Sequence, residues 1–181
     1  ILIGLVGSEM CIRDSHGAIP KYHGEGWFVN VDVASYYPSL MLVYKWLSRN
    51  VHDPSKYAEI YHTRLKLKAE KNPMQQPYKI VLNSTYGAMK DKHNAMYDPR
   101  QANNVCVGGQ LLLLDLIERL EDHCEIIQSN TDGILVKLRR YEDFEMLDDL
   151  CWEWEQRTGM RLEFDEFQKV YQKDVNNYII I

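Results

Sequence analysis

Two aspartates, Asp32 and Asp132, are the residues whose type and setting could do chemistry. Each lies at or near the end of a predicted strand in an apolar setting, where an unpaired carboxylate is costly. Phosphoryl transfer to a nucleotide uses two divalent ions about 4 Å apart, and two carboxylates from separate strands can bridge such a pair. Each aspartate also has a simpler interpretation: Asp32 as a strand-edge residue, and Asp132 as the turn former of an Asp-Gly hairpin.

A second group of candidates lies on two predicted helices. Arg64 and Lys68 are four residues apart and share one helix face, while Lys79, Asn83 and Tyr86 recur at i, i+4 and i+7 on the next helix. Facing each other, these side chains could clamp a triphosphate through charge-assisted contacts. The alternative interpretation is a solvated basic face.

The distribution of charge fits an anionic substrate held beside carboxylates. The 181-residue chain has a net charge of -5, but residues 45–92 hold ten lysines and arginines against four acidic residues. Residues 101–181 hold eight basic residues against seventeen acidic ones. A basic block next to an acidic block is what an anionic ligand near a carboxylate metal site requires, and two solvated helical surfaces are the alternative.

Composition excludes several other classes of protein. No apolar run approaches the roughly 20 residues of a membrane-spanning helix, so we predict a cytoplasmic protein without membrane contact. The four cysteines form no CxxC pair, which argues against a zinc site or a disulfide framework. The six histidines show neither HxH nor HExxH spacing, so we assign them surface or capping roles.

Patterns along the first half of the chain predict a strand and a helical hairpin. Apolar residues alternate over residues 27–33, which places Asp32 on the face opposite the valines. Asp53-Pro54 begins a helix that stops at Asn72-Pro73, and a second helix follows and closes at Gly87. Because the link between them is short, the two helices are predicted to be antiparallel.

The second half of the chain predicts a buried helix, a strand hairpin, an acidic helix and a final strand. The leucines of residues 101–123 give a wide apolar face that we expect to be buried. Strands are predicted over residues 125–129 and 134–138, joined by Asn130-Thr131-Asp132-Gly133. A helix over residues 141–157 and a strand from Arg161 complete an α+β plan.

Three segments resemble sequence motifs of family B DNA polymerases. The segment Asp32-Val33-Ala34-Ser35-Tyr36-Tyr37-Pro38-Ser39 resembles motif A, DxxSLYPS. Residues 79–87, KIVLNSTYG, match motif B, KxxxNSxYG, without a gap, and residues 129–133, SNTDG, resemble motif C, YxDTDS. The motifs occur in the family order, the similarity extends over about residues 22–178, and residues 87–92 look most like phage-type members.

The resemblance implies a role for each matched residue. It implies that Asp32 and Asp132 are catalytic and bind two Mg²⁺ ions, with Mn²⁺ as a substitute, and that Asn130 and Thr131 lie in the outer shell of the metals. The triphosphate would be held by the backbone of Val33, Ala34, Ser35 and Tyr36 and by the side chains of Arg64, Lys68 and Lys79. Asn83 would line the nucleotide pocket, Tyr37 would exclude a 2′-hydroxyl, and Tyr86 and Gly87 would contact the nascent base pair.

The resemblance also implies a fold, a domain plan and partners. It implies a ferredoxin-like palm sheet with a helical-hairpin fingers insertion: palm over residues 16–44 and 101–181, fingers over residues 45–100. Residues 1–15 resemble translated sequencing adapter and are expected to be non-native. The substrates would be a DNA primer-template and a deoxynucleoside triphosphate (dNTP), and we expect the exonuclease and thumb domains of the same polypeptide to be missing from this chain.

Two departures from the family pattern leave alternatives open. Asn130 replaces the first aspartate of motif C, and residues 173–178, KDVNNY, replace the Lys-Lys-x-Tyr primer-binding pattern. Because of Asn130 and the expected absence of the thumb, a non-catalytic nucleic-acid-binding remnant of a polymerase fold is an alternative. Another palm-based nucleotidyltransferase, such as a reverse transcriptase or an RNA polymerase, is a second alternative, against which the NSxYG helix argues.

Overall fold

A six-stranded antiparallel sheet and a group of helices are the main features of this computed structural model, which describes residues 16–181. The described chain divides into two compact units. The sheet unit comprises residues 16–34 and 110–181, and the helical unit comprises Ser35–Gly109. The adapter-like segment predicted at residues 1–15 lies outside the described residues.

The sheet unit contains strands β1 (Gly17–Ala18), β2 (Tyr22–Val33), β3 (Glu125–Ser129), β4 (Gly133–Leu138), β5 (Leu162–Asp174) and β6 (Asn177–Ile180). Their order is β1-β3-β4-β2-β5-β6, and every neighbouring pair is antiparallel. Strand β2 is therefore central, and the β3-β4 hairpin and β5 lie on either side of it. This arrangement places the ends of β2 and β4 next to each other.

Residue alternation along β2 determines which side chains reach the protein core. Val29, Val31 and Val33 are buried, whereas Asn30 and Asp32 on the opposite face are only partly buried. Phe28 lies on the same face as Asn30 and Asp32, and it packs in a small cluster with Ile127, Leu135 and Val170. The predicted placement of Asp32 opposite the valines is confirmed.

Two helices belong to the sheet unit: α5 (Asp143–Thr158) and the second half of α4 (Pro99–Leu120). Trp154 of α5 is fully buried, and its indole N–H donates to the carbonyl of Leu112 at 3.1 Å. Phe144 of α5 packs edge-on against Phe164 of β5, which lies opposite Val31 in the sheet register. Helix α5 thus covers the valine face of the sheet and leaves the Asp32 face to other contacts.

The helical unit contains α1 (Tyr36–Val43), α2 (Pro54–Ala69), α3 (Gln75–Lys90) and the first half of α4. Helices α2 and α3 pack together, and the hydroxyl of Tyr57 donates to the carbonyl of Leu82 at 3.0 Å. Asp53 accepts the N–H of Ser55 at the start of α2, followed by Pro54 in the first turn, as the sequence predicts.

Asp98 joins two segments of the helical unit. Its carboxylate accepts both Nε and Nη2 of Arg49 at 2.8 Å, and the backbone N–H groups of Arg49 and Gln101 at 3.0 and 3.3 Å. It is buried and stands directly before Pro99, where a carboxylate stabilises the first turn of α4. The Arg49 guanidinium holds the pKa of Asp98 well below its usual range.

The structure departs from the predicted elements in three places. Helix α3 continues through Gly87 to Lys90 instead of closing at Gly87, because the buried Met89 extends its packed face. Helix α1 was not predicted. The wide apolar face of α4 is buried at Leu113, Leu116, Ile117 and Leu120, but Leu111 and Leu114 are exposed. Among the described helices, none has the length and apolar character needed to cross a membrane.

Candidate active site

The two predicted metal-binding aspartates lie at the same end of the sheet, where β2 ends and β4 begins. Asp32 is the penultimate residue of β2, where it pairs with Gly133 of β4 on one side and Glu163 of β5 on the other. Asp132 ends the turn between β3 and β4 and is exposed to solvent, so the apolar setting predicted for it is wrong. The backbone N–H of Val33 donates to the carbonyl of Asp132 at 2.7 Å, which joins the end of β2 to this turn.

Two neighbours define the position of the Asp32 carboxylate. The side-chain amide of Asn30, two residues earlier on the same strand face, donates from Nδ2 to Oδ2 of Asp32 at 2.9 Å. The other oxygen lies against Gly133, so closely that a Cβ at position 133 would be 1.8 Å from Oδ1. Any side chain at position 133 would therefore displace the carboxylate.

The Asp32 carboxylate is partly buried and lies near other acidic side chains. Burial and the nearby charge of Asp132 raise the pKa of Asp32 to about 6, with smaller contributions from Asp165 and Glu163, while the hydrogen bond from Asn30 acts in the opposite direction. Among the residues that the structure describes, neither Asp32 nor Asp132 forms an ion pair. A divalent cation would relieve this repulsion, so the donor set fits such an ion.

The turn between β3 and β4 carries the two predicted outer-shell residues, Asn130 and Thr131, which are both partly buried. The backbone N–H of Asn130 donates to the carbonyl of Gly133 at 2.8 Å and closes the turn. Its side-chain Oδ1 accepts Nε2 of Gln128 at 2.8 Å. Gln128 is buried, and its Oε1 has no hydrogen-bond partner.

No cluster of three or more His, Cys, Asp or Glu side chains suited to hold a metal occurs within residues 16–181. Mg²⁺ is usually bound through one or two carboxylates with water and substrate phosphates, not by a cage made only of protein ligands. A site built on Asp32 and Asp132 would therefore take its remaining ligands from water or from a bound phosphate.

In the helical unit, Arg64 contacts Ser35. Arg64 is buried, with 6% of its surface exposed, and its Nη1 donates to the hydroxyl of Ser35. Its Nε is also buried and has no hydrogen-bond partner, and no carboxylate of the described residues pairs with it. Ser35 has the left-handed backbone conformation, φ 51° and ψ 49°, directly before α1. A buried guanidinium without an anion is costly, so this position is suited to an anionic ligand.

Aromatic residues of motifs A and B pack together in the same unit. The rings of Tyr37 and Tyr86 meet edge-on, 4.6 Å between centroids. The ammonium of Lys90 lies 5.1 Å from the centroid of the Tyr86 ring, and its Nζ is 3.3 Å from the Tyr86 hydroxyl. Tyr36 instead points into the core and donates its hydroxyl to the carbonyl of Gly109 at 2.5 Å.

The remaining predicted residues of the helical unit lie at its surface. Lys68 on α2 and Lys79, Asn83 and Gly87 on α3 are all exposed to solvent. A Cβ at Gly87 would meet no atom within 4 Å, so nothing within the structure requires glycine at that position. The chain passes directly from β2 to this unit, and the N–H of Ala34 donates to the carbonyl of Arg161 at 2.8 Å.

Sequence analysis missed three residues of the sheet-unit site: Asn30, Gln128 and Gly133. Asn30 stands on the Asp32 face of β2 by simple alternation, and that pattern is a signal that could have identified it. Gly133 was interpreted only as a turn residue, although it also makes room for the Asp32 carboxylate. Gln128 has no distinguishing signal in the sequence.

Comparison with known proteins gives similarity to DNA polymerases. No protein-family model matches the chain. It is 29% identical to DNA polymerase II of Escherichia coli over 97 residues, which cover 52% of this chain and 12% of that protein. The structure of the family B DNA polymerase from the archaeon Pyrobaculum calidifontis matches 91% of this chain with a TM-score of 0.62 at 18% identity. The chain spans 28% of that structure, so the shared feature is the fold of one part of such an enzyme.

Proposed function

We propose that this chain is the catalytic part of a DNA-directed DNA polymerase, which adds deoxynucleotides to a primer 3′-hydroxyl in DNA replication. The observation that carries the proposal is the placement of two carboxylates, Asp32 near the end of β2 and Asp132 in the adjoining β3-β4 turn, which are joined by the hydrogen bond from the N–H of Val33 to the carbonyl of Asp132. The similarity to DNA polymerase II and to an archaeal family B polymerase supports the same reaction class.

In the proposed reaction, the primer 3′-hydroxyl attacks the α-phosphate of the dNTP and pyrophosphate leaves in line. Two bound Mg²⁺ ions, or Mn²⁺ in their place, would activate the hydroxyl and neutralise the charge of the leaving phosphates. Asp32 and Asp132 would hold these ions, and Asn30 would keep the Asp32 carboxylate in place. Catalysis then depends mostly on positioning and charge neutralisation.

We assign dNTP binding to the helical unit and to the segment that enters it. The N–H groups of Val33 and Ala34 already bond to backbone carbonyls, so we assign the phosphate contact of this segment to Ser35. Arg64 is the strongest candidate for a phosphate contact, because its buried guanidinium lacks an anion. The basic side chains of Lys68 and Lys79 and the amide of Asn83 are assigned to the same nucleotide.

The sheet topology supports the palm assignment. Strands β2, β3, β4 and β5 are arranged in the order β3-β4-β2-β5, with α-helical segments after β2 and after β4. This order supports the ferredoxin-like sheet that we propose for the palm. The helical unit, with its paired helices α2 and α3, is proposed as the fingers, and a DNA primer-template is the proposed partner.

Primer extension with Mg²⁺ by the full-length polypeptide that contains this chain tests the proposal directly. Asp32→Asn and Asp132→Asn should each lower extension on the order of 1,000-fold, about 4 kcal/mol of transition-state stabilisation, because an amide cannot bridge two cations. Primer-template affinity should stay nearly unchanged. Asp149→Asn on the exposed surface of α5 is the matched control and should extend like the parent. Substantial activity in either site variant would disprove the metal-site assignment.

A non-catalytic nucleic-acid-binding protein is the second candidate function. The observation that favours it is Asn130, whose Oδ1 is already used by Gln128 and which stands where motif C has an aspartate. This candidate requires DNA binding without extension at any concentration of Mg²⁺ or Mn²⁺. Metal-dependent extension by the protein with Asn130 in place would exclude it.

A further inference from the structure

The contact between Asn30 and Asp32 is specific in a way that strand packing does not require. Both residues lie on the same face of β2. Strands favour β-branched and aromatic residues at such positions, whereas asparagine is depleted. Asn30 nevertheless directs its Nδ2 to a single oxygen, Oδ2 of Asp32, at 2.9 Å.

Gly133 constrains the other oxygen of the same carboxylate. It lies opposite Asp32 in the β2-β4 register, and a Cβ there would overlap Oδ1 at 1.8 Å. The carboxylate therefore depends on two separate conditions: a donor at position 30 and no side chain at position 133. Because a short side chain such as aspartate moves as one planar group, losing either condition should turn both oxygens.

We propose that Asn30 is a positioning residue that, together with Gly133, sets the direction in which the Asp32 carboxylate faces a divalent cation. This inference rests on the proposed function. Asn30 does not touch substrate in this role: its amide holds Oδ2, and the carboxylate meets the cation in one orientation. Outer-shell donors of this kind orient metal ligands, and their removal typically weakens metal binding by about 10- to 100-fold.

Asn30 also separates carboxylates within the sheet. In the strand register it lies opposite Asp165 of β5, whose charge also acts on Asp32. A neutral amide with a donor group is suited to this position, since an acidic residue would add repulsion and an apolar residue would leave Oδ2 without its partner. The chemistry of the neighbours thus favours asparagine over both aspartate and leucine.

The test measures the affinity of the nucleotide-free protein for Mn²⁺. Binding is detected as a decrease in the electron paramagnetic resonance signal of free Mn²⁺. Asn30→Leu is nearly isosteric and lacks the donor, so we expect its Mn²⁺ dissociation constant to rise about tenfold. In primer extension the Mg²⁺ concentration at half-maximal rate should rise similarly, while the KM for dNTP stays unchanged. Glu25→Leu, at an exposed residue of β2, is the control and should bind Mn²⁺ like the parent.

A double-mutant cycle makes the inference sharper. Gly133→Ala should also weaken Mn²⁺ binding, because its Cβ displaces Oδ1 of Asp32. Both residues are inferred to act through one orientation of the Asp32 carboxylate. The double variant Asn30→Leu with Gly133→Ala should therefore bind Mn²⁺ no more weakly than whichever single variant has the lower Mn²⁺ affinity. Fully additive losses would overturn the shared role. Asn30→Ser provides a second removal of the amide if Asn30→Leu does not fold.

The outcomes separate this inference from the proposed function. If the parent binds Mn²⁺ and extends primers but Asn30→Leu matches it in both assays, Asn30 is not a positioning residue and the proposed function stands. If the parent neither binds Mn²⁺ nor extends a primer, the proposed function fails and this inference fails with it. Retained Mn²⁺ affinity in Asp32→Asn would likewise show that the cation lies elsewhere.

Discussion

Replacing Arg64 with methionine should separate stability from nucleotide binding. The guanidinium is buried and its Nη1 donates to the hydroxyl of Ser35, while its Nε has no hydrogen-bond partner within residues 16–181. Removing a buried cation that lacks an anion takes away a desolvation cost, and methionine keeps much of the volume of the aliphatic stem. The free energy of unfolding should therefore stay unchanged or rise.

The effect on dNTP binding should go in the opposite direction. Hydrogen bonds to charged groups contribute about 1.5–3 kcal/mol, so losing the phosphate contact of Arg64 should raise the dNTP KM by about 10- to 150-fold. Arg64→Lys retains the charge without the planar fork and should fall between the parent and Arg64→Met. Lys66→Met, at an exposed position of the same helix, is the matched control for loss of a basic residue.

Two measurements on the same preparations distinguish a phosphate-binding role of Arg64 from a structural one. Urea unfolding gives the stability, and steady-state extension at varied dNTP concentration gives the KM. A buried arginine with only a structural role would give the reverse pattern, with lower stability and an unchanged KM. That result in Arg64→Met, with Lys66→Met unaffected, would refute the assignment of Arg64 to the triphosphate.

Three further outcomes are expected. Tyr37→Ala should raise the ratio of ribonucleotide to deoxynucleotide incorporation, because the ring packed on Tyr86 would no longer exclude a 2′-hydroxyl. An unchanged ratio in competition assays would show that Tyr37 has only a packing role. Asn130→Asp should change the extension rate less than about tenfold, since Asp32 and Asp132 already supply two carboxylates. If the parent protein is inactive and Asn130→Asp restores extension, two carboxylates are not sufficient. Asp98→Asn should lower the urea midpoint at pH 7. Because Arg49 depresses the pKa of Asp98, the difference from the parent should shrink below about pH 4, where the unfolded-state carboxyl takes up its proton. An equal difference at pH 7 and pH 3 would show that the charge of Asp98 is not responsible.

Local patterns predicted the elements whose signals are strong. The strand at residues 125–129 is confirmed as β3, and β4 begins one residue before the predicted start, because apolar runs around an Asp-Gly turn define a hairpin. Helix α1 was missed because it is only eight residues long and begins after the left-handed Ser35, which no periodicity reveals. Helix α3 passes through Gly87 because tertiary packing of Met89 outweighs the poor helix propensity of glycine.

The candidate site was predictable as residue types but not as contacts. Alternation along β2 was enough to place Asp32 on the face away from the valines. The donor on Oδ2 and the space beside Oδ1 depend on side-chain rotamers and strand register, which a sequence does not specify. Similarly, Arg64 and Lys68 share a helical spacing, yet one is buried and the other exposed, because packing around α2 differs along its length. The roles assigned to these residues stay predictions.

Each of the two units contains charged residues that have no ion-pair partner among the described residues. In the sheet unit, burial and the nearby charge of Asp132 raise the pKa of Asp32, and neither aspartate has an ion-pair partner among the described residues. In the helical unit, Arg64 is a buried cation without an anion in the same described range. Each arrangement is unfavourable alone, and each is relieved by a ligand of opposite charge. Because Asp32 and Ser35 are only three residues apart in the chain, the end of β2 leads directly into the unit that contains Arg64.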